Sequence, residues 1–483
     1  MGCLHMDVRT VVSNFIWRLM ERGGAQIVGI VISIVLARLL DPTVYGLIAL
    51  VNVFLVILQV FVDSGLGTAL VQKKNADQLD FSSVFFFNIF MSLLIYALLF
   101  ACAPLIAQFY NNDELIPIVR WGSVVVLISG LRSIQQSYVS RNLLFKKFFY
   151  STLIGTLISA VVGIAMAYLG YGVWALVAQS ILNTAIDTLV LWVTVKWKPT
   201  WEFSYTRLKE LLTYGWKILM SGLATSIYGN LRQMLIGKFY TPEDLAYYNK
   251  GNEIPNGLAP NIVTSITSVL LPTVAQQQDD LDSVKRITRR AMKAIAFVMW
   301  PVMIGLAACG ENLVELLLTD KWLPCVWFLQ IFCVEAAIWP ISAILNNSAN
   351  AIGRSDMNLK IQMFVRVVGV LVLIFTIQYG PFAIAITAFA VTMLELSVVS
   401  FANKKLINYK IVEQFVDIFP SLGISLIMGA LVIAVGDFPC TKVVLLPLQV
   451  VTGMGVYFGM AYLFRNDSLF VMVDLFKALR KKT

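Results

Sequence analysis

Histidine is almost missing from this chain: His5 is the only one in 483 residues. Histidine-based metal sites and histidine-dependent nucleophilic triads therefore lack their essential group. Cysteine is scarce too. The six, at positions 3, 102, 309, 325, 333 and 440, form no CxxC and no metal-ligand spacing. Charged residues make up 13% of the chain, about half the share of a soluble domain. Long polar segments are lacking as well. The loops between apolar runs reach about 20 residues at most, which leaves no room for a soluble catalytic domain. The first apolar run is helix-long and no small-residue cleavage site follows it, so no cleavable signal peptide is expected.

What is present is apolar surface. Hydrophobic residues are 58% of the chain and the mean hydropathy is +0.78. This composition predicts an all-α integral membrane protein. Apolar windows of helix length occur at 16–37, 44–62, 82–104, 117–138, 149–169, 173–195, 212–236, 254–274, 291–309, 326–350, 361–378, 381–401, 419–436 and 443–464. About fourteen transmembrane helices are therefore expected.

The positive-inside rule orients them. With the N-terminus in the cytoplasm, about 29 of the 37 lysines and arginines fall on the cytoplasmic side and about 5 outside. Arg120, Arg232 and Arg366 are counted within spans. Both termini are thus placed in the cytoplasm. The basic stretches at 141–147, 285–293 and 477–482 supply most of the net charge of +9. They read as topology signals with attraction for anionic membrane lipid, and no nucleic-acid partner is expected.

The chain says one thing twice. LARLLDPTVYGLIAL begins at Leu36 and IGKFYTPEDLAYYNKG at Ile236. Each has an apolar helix end with a cation (Arg38, Lys238), then a proline four residues on (Pro42, Pro242) and a tyrosine-containing restart. GTALVQ, ending at Gln72, is echoed by LPTVAQ, ending at Gln276. The segment ending at Asp187 is echoed by the one ending at Glu395. Spans 1–6 and 7–12 read as two copies of one unit. Six spans is an even number, so the copies share orientation and are related by a pseudo-twofold axis along the membrane normal. The expected organisation is an N-lobe over 1–200, a C-lobe over 201–410, and spans 13–14 with a basic cytoplasmic tail over 411–483. Two facing bundles imply a central cavity and alternating access.

Polar side chains inside spans are rare and face a bundle interior or a wet cavity. Gln179, Asn183 and Asp187 are spaced i, i+4, i+8 and share one face of span 6. Span 10 carries Glu335, Ser342, Asn346 and Asn350; span 2 carries Asn52, Gln59 and Asp63. Span 1 starts with Asn14, Arg18 and Arg22, span 7 has Asn230, Arg232 and Gln233, and span 11 has Gln362 and Arg366. Interhelical hydrogen bonding is the alternative reading for the amides. A charge near mid-membrane costs roughly 2.5–3.5 kcal/mol on insertion scales, so the charges demand a reason. Arg120 and Arg18 lie near interfaces, and snorkelling is the preferred reading for Arg120. Arg232 and Arg366 share their helices with polar neighbours. Asp187 and Glu395 occupy equivalent places in the two copies. They read either as ion-coupling sites or as structural salt bridges with Arg366 or a neighbour. Glu335, the most isolated acid, is a candidate protonation switch.

At this point the residues resemble a known family. LARLLDPTVYGLIAL, DSGLGTALVQ at 63–72, and the second-lobe segment 236–276 look like Wzx-type oligosaccharide flippases. These form the polysaccharide-transporter branch of a superfamily that also holds multidrug-and-toxin exporters and the lipid II flippase. The likeness spans essentially the whole chain and is strongest to exporters of colanic-acid, teichuronic-acid or O-antigen type. It implies a non-enzymatic role in a bacterial inner membrane, with no cofactor beyond H+ or Na+ coupling. The implied task is turning polyprenyl-pyrophosphate-linked oligosaccharide from the cytoplasmic to the outer leaflet for surface polysaccharide synthesis, alongside polysaccharide polymerase and chain-length machinery. Arginine suits the pyrophosphate through its forked donors. The candidates for that role are Arg18, Arg22, Arg232 and Arg366. Glycan-contact candidates are Asn52, Gln179, Asn183, Asn230, Asn346 and Asn350, and ion-coupling candidates are Asp187, Glu335 and Glu395. A cation-exporting drug transporter and a membrane polysaccharide polymerase or ligase are the competing readings. The second would use large outer loops with Arg or His chemistry, and 237–253 and 309–325 contain neither.

Overall fold

The computed structural model describes residues 28–469, apart from 64, 278, 279 and 467. Among the described residues all regular structure is helical, and the chain folds into two compact units that divide between Ala246 and Tyr247.

The first unit runs α1 (Val28–Leu39), α2 (Pro42–Asp63), the short α3 (Leu66–Gln72) and α4 (Gln78–Tyr110). It continues through α5 (Leu115–Gly122), α6 (Val124–Arg141), α7 (Phe145–Tyr168), α8 (Val173–Thr194) and α9 (Tyr205–Phe239). Helix α10 (Pro242–Ala275) begins in the first unit and runs into the second. The second unit adds α11 (Leu281–Ala308), α12 (Gly310–Leu318), α13 (Cys325–Ala351), α14 (Ser355–Thr376), α15 (Pro381–Leu406), α16 (Ile411–Gly436) and α17 (Lys442–Leu463).

Eleven helices among the described residues are long and apolar enough to cross a membrane, counting α2–α3 and α5–α6 as one each. The chain is a multi-pass membrane protein. Spans 7 and 8 of the sequence reading coincide with α9 and α10, helices of 35 and 34 residues that are not among the eleven. The first half of span 1 lies outside the described residues. Large apolar side chains such as Phe90, Leu94, Val161, Phe415 and Val451 stand exposed, as a lipid-facing surface requires.

The repeated phrase builds the same turn twice. α1 ends at Leu39 and α2 restarts at Pro42; α9 ends at Phe239 and α10 restarts at Pro242. Proline opens a helix well because its missing N–H would have no partner there and its φ is already helical. Arg38 and Lys238 sit in the final turns, where a cation meets the unpaired carbonyls. Lys238 also donates to the Phe109 carbonyl. Thr241 caps α10: its hydroxyl accepts from the Asp244 N–H (3.2 Å), and the Asp244 carboxylate accepts from the Thr241 N–H (3.2 Å). The two turns also touch each other. Thr43 and Glu243, equivalent positions 200 residues apart, hydrogen-bond at 2.6 Å. Gly46 admits the α10 backbone: a Cβ there would lie 1.9 Å from the Pro242 carbonyl oxygen.

Elsewhere, sequence cues set the elements. Asp77 and Asp80 form a capping box on α4, each carboxylate accepting the other's backbone N–H at 2.9 and 3.2 Å. The Asp80 backbone N–H holds the Asp77 carboxyl below its ordinary range. Gly155, Ser159 and Gly163 give α7 a flat stripe against α8, whose Asn183 carbonyl and Gln179 side chain would lie 3.1 Å from a Cβ added at Gly155 and Gly163. Gly65, between α2 and α3, has φ +66° and leaves space for the Gly215 carbonyl of α9, which would stand 2.6 Å from an added Cβ.

Candidate functional site

In the first unit one buried charge on a spanning helix is half of an ion pair. Arg132 on α6 donates to the Asp187 carboxylate on α8 at 2.8 Å, with Asp187 almost wholly buried. The cation paired with Asp187 is thus a neighbour in the same unit, Arg132, while the second carboxylate oxygen and the Arg132 Nε are buried without a hydrogen-bond partner among the described residues. Arg132 lies inside the expected span 117–138, as Arg120 does. Only the fold reveals the pairing, because the partners are 55 residues apart. Asn183 and Gln179 share Asp187's helix face and lie at the α7–α8 contact described above. Asn52 is exposed on α2.

Helix α9 carries a polar strip. Tyr214, Lys217, Ser221 and Thr225 line an open cavity of about 640 Å³ with Ile218, Gly222 and Ser226. Gly222 lies 3.1 Å by its Cβ direction from Val60 of α2, so one edge of α9 is packed while the neighbouring face stays open. Farther along, Arg232 is half-buried, with its guanidinium carbon 5.8 Å from the Tyr228 ring centre. Its Nε is buried and unbonded, and no carboxylate pairs with it among the described residues. Asn230, two residues away, spends its amide on the Ser226 carbonyl of its own helix (2.8 Å). Lys217 likewise has no ion-pair partner among the described residues. The sequence reading did not single it out, although Lys217, Ser221 and Thr225 have the same i, i+4, i+8 spacing that flagged span 6. Arg120 folds over the Phe100 ring (4.4 Å) near the α5–α6 junction.

In the second unit the acids meet amides and a hydroxyl. Glu395 on α15 accepts from Asn346 on α13 (3.2 Å) and from Gln362 on α14 (2.9 Å). Glu335 on α13 accepts from Thr392 on α15 (3.1 Å). Three helices that the sequence flagged separately thus meet around two half-buried carboxylates. Asp187 and Glu395 are equivalent in the repeat but not in environment: one faces an arginine, the other two amides. Asn350 accepts from Asn358 (3.2 Å). Arg366 is half-buried on α14 and already engaged by the protein. Arg18, Arg22 and Asn14 lie outside the described residues.

A second charged cluster holds α16 to α11. Arg289 grips Asp417 with two hydrogen bonds (2.7 and 2.9 Å), Tyr409 donates to the same carboxylate (2.7 Å), and Lys285 pairs with Glu413 (2.8 Å). Burial, reinforced by the Asp417 carboxylate, pushes the Tyr409 phenol above its ordinary pKa. No metal-binding cluster of His, Cys, Asp or Glu forms among the described residues.

The profile of a family described as polysaccharide biosynthesis proteins matches residues 35–327, more than half of the chain. The chain belongs to this family. It is 24% identical over 301 residues to the teichuronic acid biosynthesis protein TuaB of Bacillus subtilis, covering 62% of each chain. It is 23% identical over 343 residues to the succinoglycan biosynthesis transport protein ExoT of Rhizobium meliloti, covering 70% of this chain and 66% of that one. These matches span somewhat less than two thirds of each relative. Among solved structures, the lipid II flippase MurJ in an inward closed conformation superposes with a TM-score of 0.73 at 16% identity, covering 96% of this chain and 100% of that one. At that identity the likeness is one of fold.

Proposed function

We propose that this chain is a flippase for polyprenyl-pyrophosphate-linked oligosaccharide, moving the repeat unit from the cytoplasmic to the outer leaflet of a bacterial inner membrane. The observation that carries the reading is the charge balance within the helices. Asp187, Glu395 and Glu335 all have partners from the protein, whereas Arg232 has only the Tyr228 ring among the described residues. A spanning helix that carries an arginine with no carboxylate partner suits an anionic headgroup, and Arg offers a forked donor set for phosphate oxygens. A cation-exporting drug transporter would need the reverse. The family membership, the polysaccharide relatives and the fold shared with a lipid-linked-sugar flippase support the same reading.

Both termini face the cytoplasm in this proposal, and the substrate site opens to the two sides in turn. The glycan meets amides and aromatic groups of the polar faces. Coupling to H+ or Na+ runs through Glu335 and Glu395. Polysaccharide polymerase and chain-length machinery receive the product on the outer side. Deleting the chain in its host should abolish one surface polysaccharide and leave its lipid-linked unit in the cytoplasmic leaflet. Unchanged surface polysaccharide, with loss of resistance to lipophilic cations, would instead support the drug-exporter reading.

A further inference from the structure

We propose that α9 is a two-station anion track for the substrate's pyrophosphate, with Lys217 as the first station and Arg232 as the second. This inference rests on the flippase reading and adds to it a residue and a path.

Residues 217, 221, 225, 228 and 232 fall within one sector of about 80° on α9, at 100° per residue. The order along that sector is cation, hydroxyl, hydroxyl, phenol ring, cation. The two cations are 15 residues apart, or about 22 Å of helix rise, a large part of the ~30 Å hydrocarbon thickness. Lys217, Ser221 and Thr225 line the open cavity of about 640 Å³. Lys217 has no acidic partner among the described residues, and Arg232 keeps a buried Nε–H with no acceptor. A buried donor without an acceptor is costly. The polarity of α9 points the same way. It is 35 residues long, ample to span, yet it is not among the eleven helices apolar enough by composition to cross a membrane. Its polar sector therefore faces water or ligand.

The chemistry assigns separate tasks. Lysine is a compact point charge that receives a phosphate in many orientations, while the arginine fork holds it in few. Between them, Ser221 and Thr225 offer hydroxyl donors and acceptors that carry no charge, so the anion meets no deep trap on the way. Anionic phospholipid headgroups present the same phosphate chemistry, and the test separates the two sources.

Purified full-length protein and its K217Q and K217R variants are reconstituted into vesicles carrying fluorescent polyprenyl-pyrophosphate oligosaccharide. One vesicle set contains phosphatidylcholine alone and the other includes phosphatidylglycerol. Leaflet exchange is read by quenching. The track predicts that K217Q slows exchange about tenfold or more in both lipid mixtures, that K217R retains at least about a third of the rate, and that R232Q is slow in both. Equal thermal unfolding of K217Q and wild type establishes that the defect is not misfolding. Should K217Q unfold early, K217M and the rescue by K217R decide. A K217Q defect confined to phosphatidylglycerol vesicles would assign Lys217 to phospholipid and overturn the track. Wild-type exchange with an unaffected K217Q would overturn it while leaving the flippase reading intact. No exchange by wild type would remove both.

Discussion

At the residue scale, the decisive question about a membrane-embedded charge is what already neutralises it. Asp187 is answered within the fold by Arg132, and Glu395 by two amides. Among the described residues, Arg232 is answered by an aromatic face alone. Arg232→Ala is therefore expected to reduce transport about tenfold or more with protein levels unchanged, measured as surface polysaccharide against membrane abundance. Normal polysaccharide in that variant would remove Arg232 from the site. Glu335, bonded by the Thr392 hydroxyl, keeps its candidacy as a protonation switch. Glu335→Gln should alter the pH dependence of transport, since an amide cannot take up a proton as a carboxylate does. A profile superimposable on wild type would reject the switch. Spacing alone exposed the Gln179–Asn183–Asp187 face. It could not name Arg132, because partners on different helices are fixed by packing and not by local periodicity. Lys217 is legible by the same spacing argument, since Lys217, Ser221 and Thr225 share one helix face.

At the element scale, the twice-written turn has structural content. A proline restart, a cation at the preceding helix end and a side-chain cap are what a helix needs to stop and begin again within three residues. The mutual contact of the two turns explains Gly46, whose hydrogen stands where a methyl would strike the Pro242 carbonyl. Gly46→Leu should lower thermal stability by about 1–3 kcal/mol, read from unfolding in detergent. Stability equal to wild type would show that the two turns do not press together as described. The α11–α16 attachment rests on Asp417, whose side chain is 2% exposed, while Arg289 is about one-third exposed and partly screened. Asp417→Asn loses the two-pronged ion pair and should cost about 2 kcal/mol. A cost near zero in the same assay would mean that apolar packing through Phe297, Met428 and Val432 suffices to hold α16.

At the scale of the whole molecule, hydropathy made most helices legible. Each expected span from 44–62 onward falls on a helix in the structure. The expected spans 212–236 and 254–274 fall on α9 and α10, which are not among the eleven. Packing follows a different division from the repeat. The sequence echo puts α9 at the head of the second copy, while in the structure α9 packs on α2, α3 and α4 within the first unit. Sequence self-similarity records duplication, whereas a compact unit records which faces are buried together, and these need not coincide.

The most direct test of the central claim is the leaflet position of the lipid-linked sugar. Purified protein is placed in liposomes carrying a fluorescent polyprenyl-pyrophosphate oligosaccharide, and label in the outer leaflet is quenched. The flippase account predicts that the protected half of the label becomes quenchable only when the protein is present, and much more slowly with Arg232→Ala. A protected fraction that stays constant, together with exchange of a lipophilic cation for protons or sodium, would contradict it.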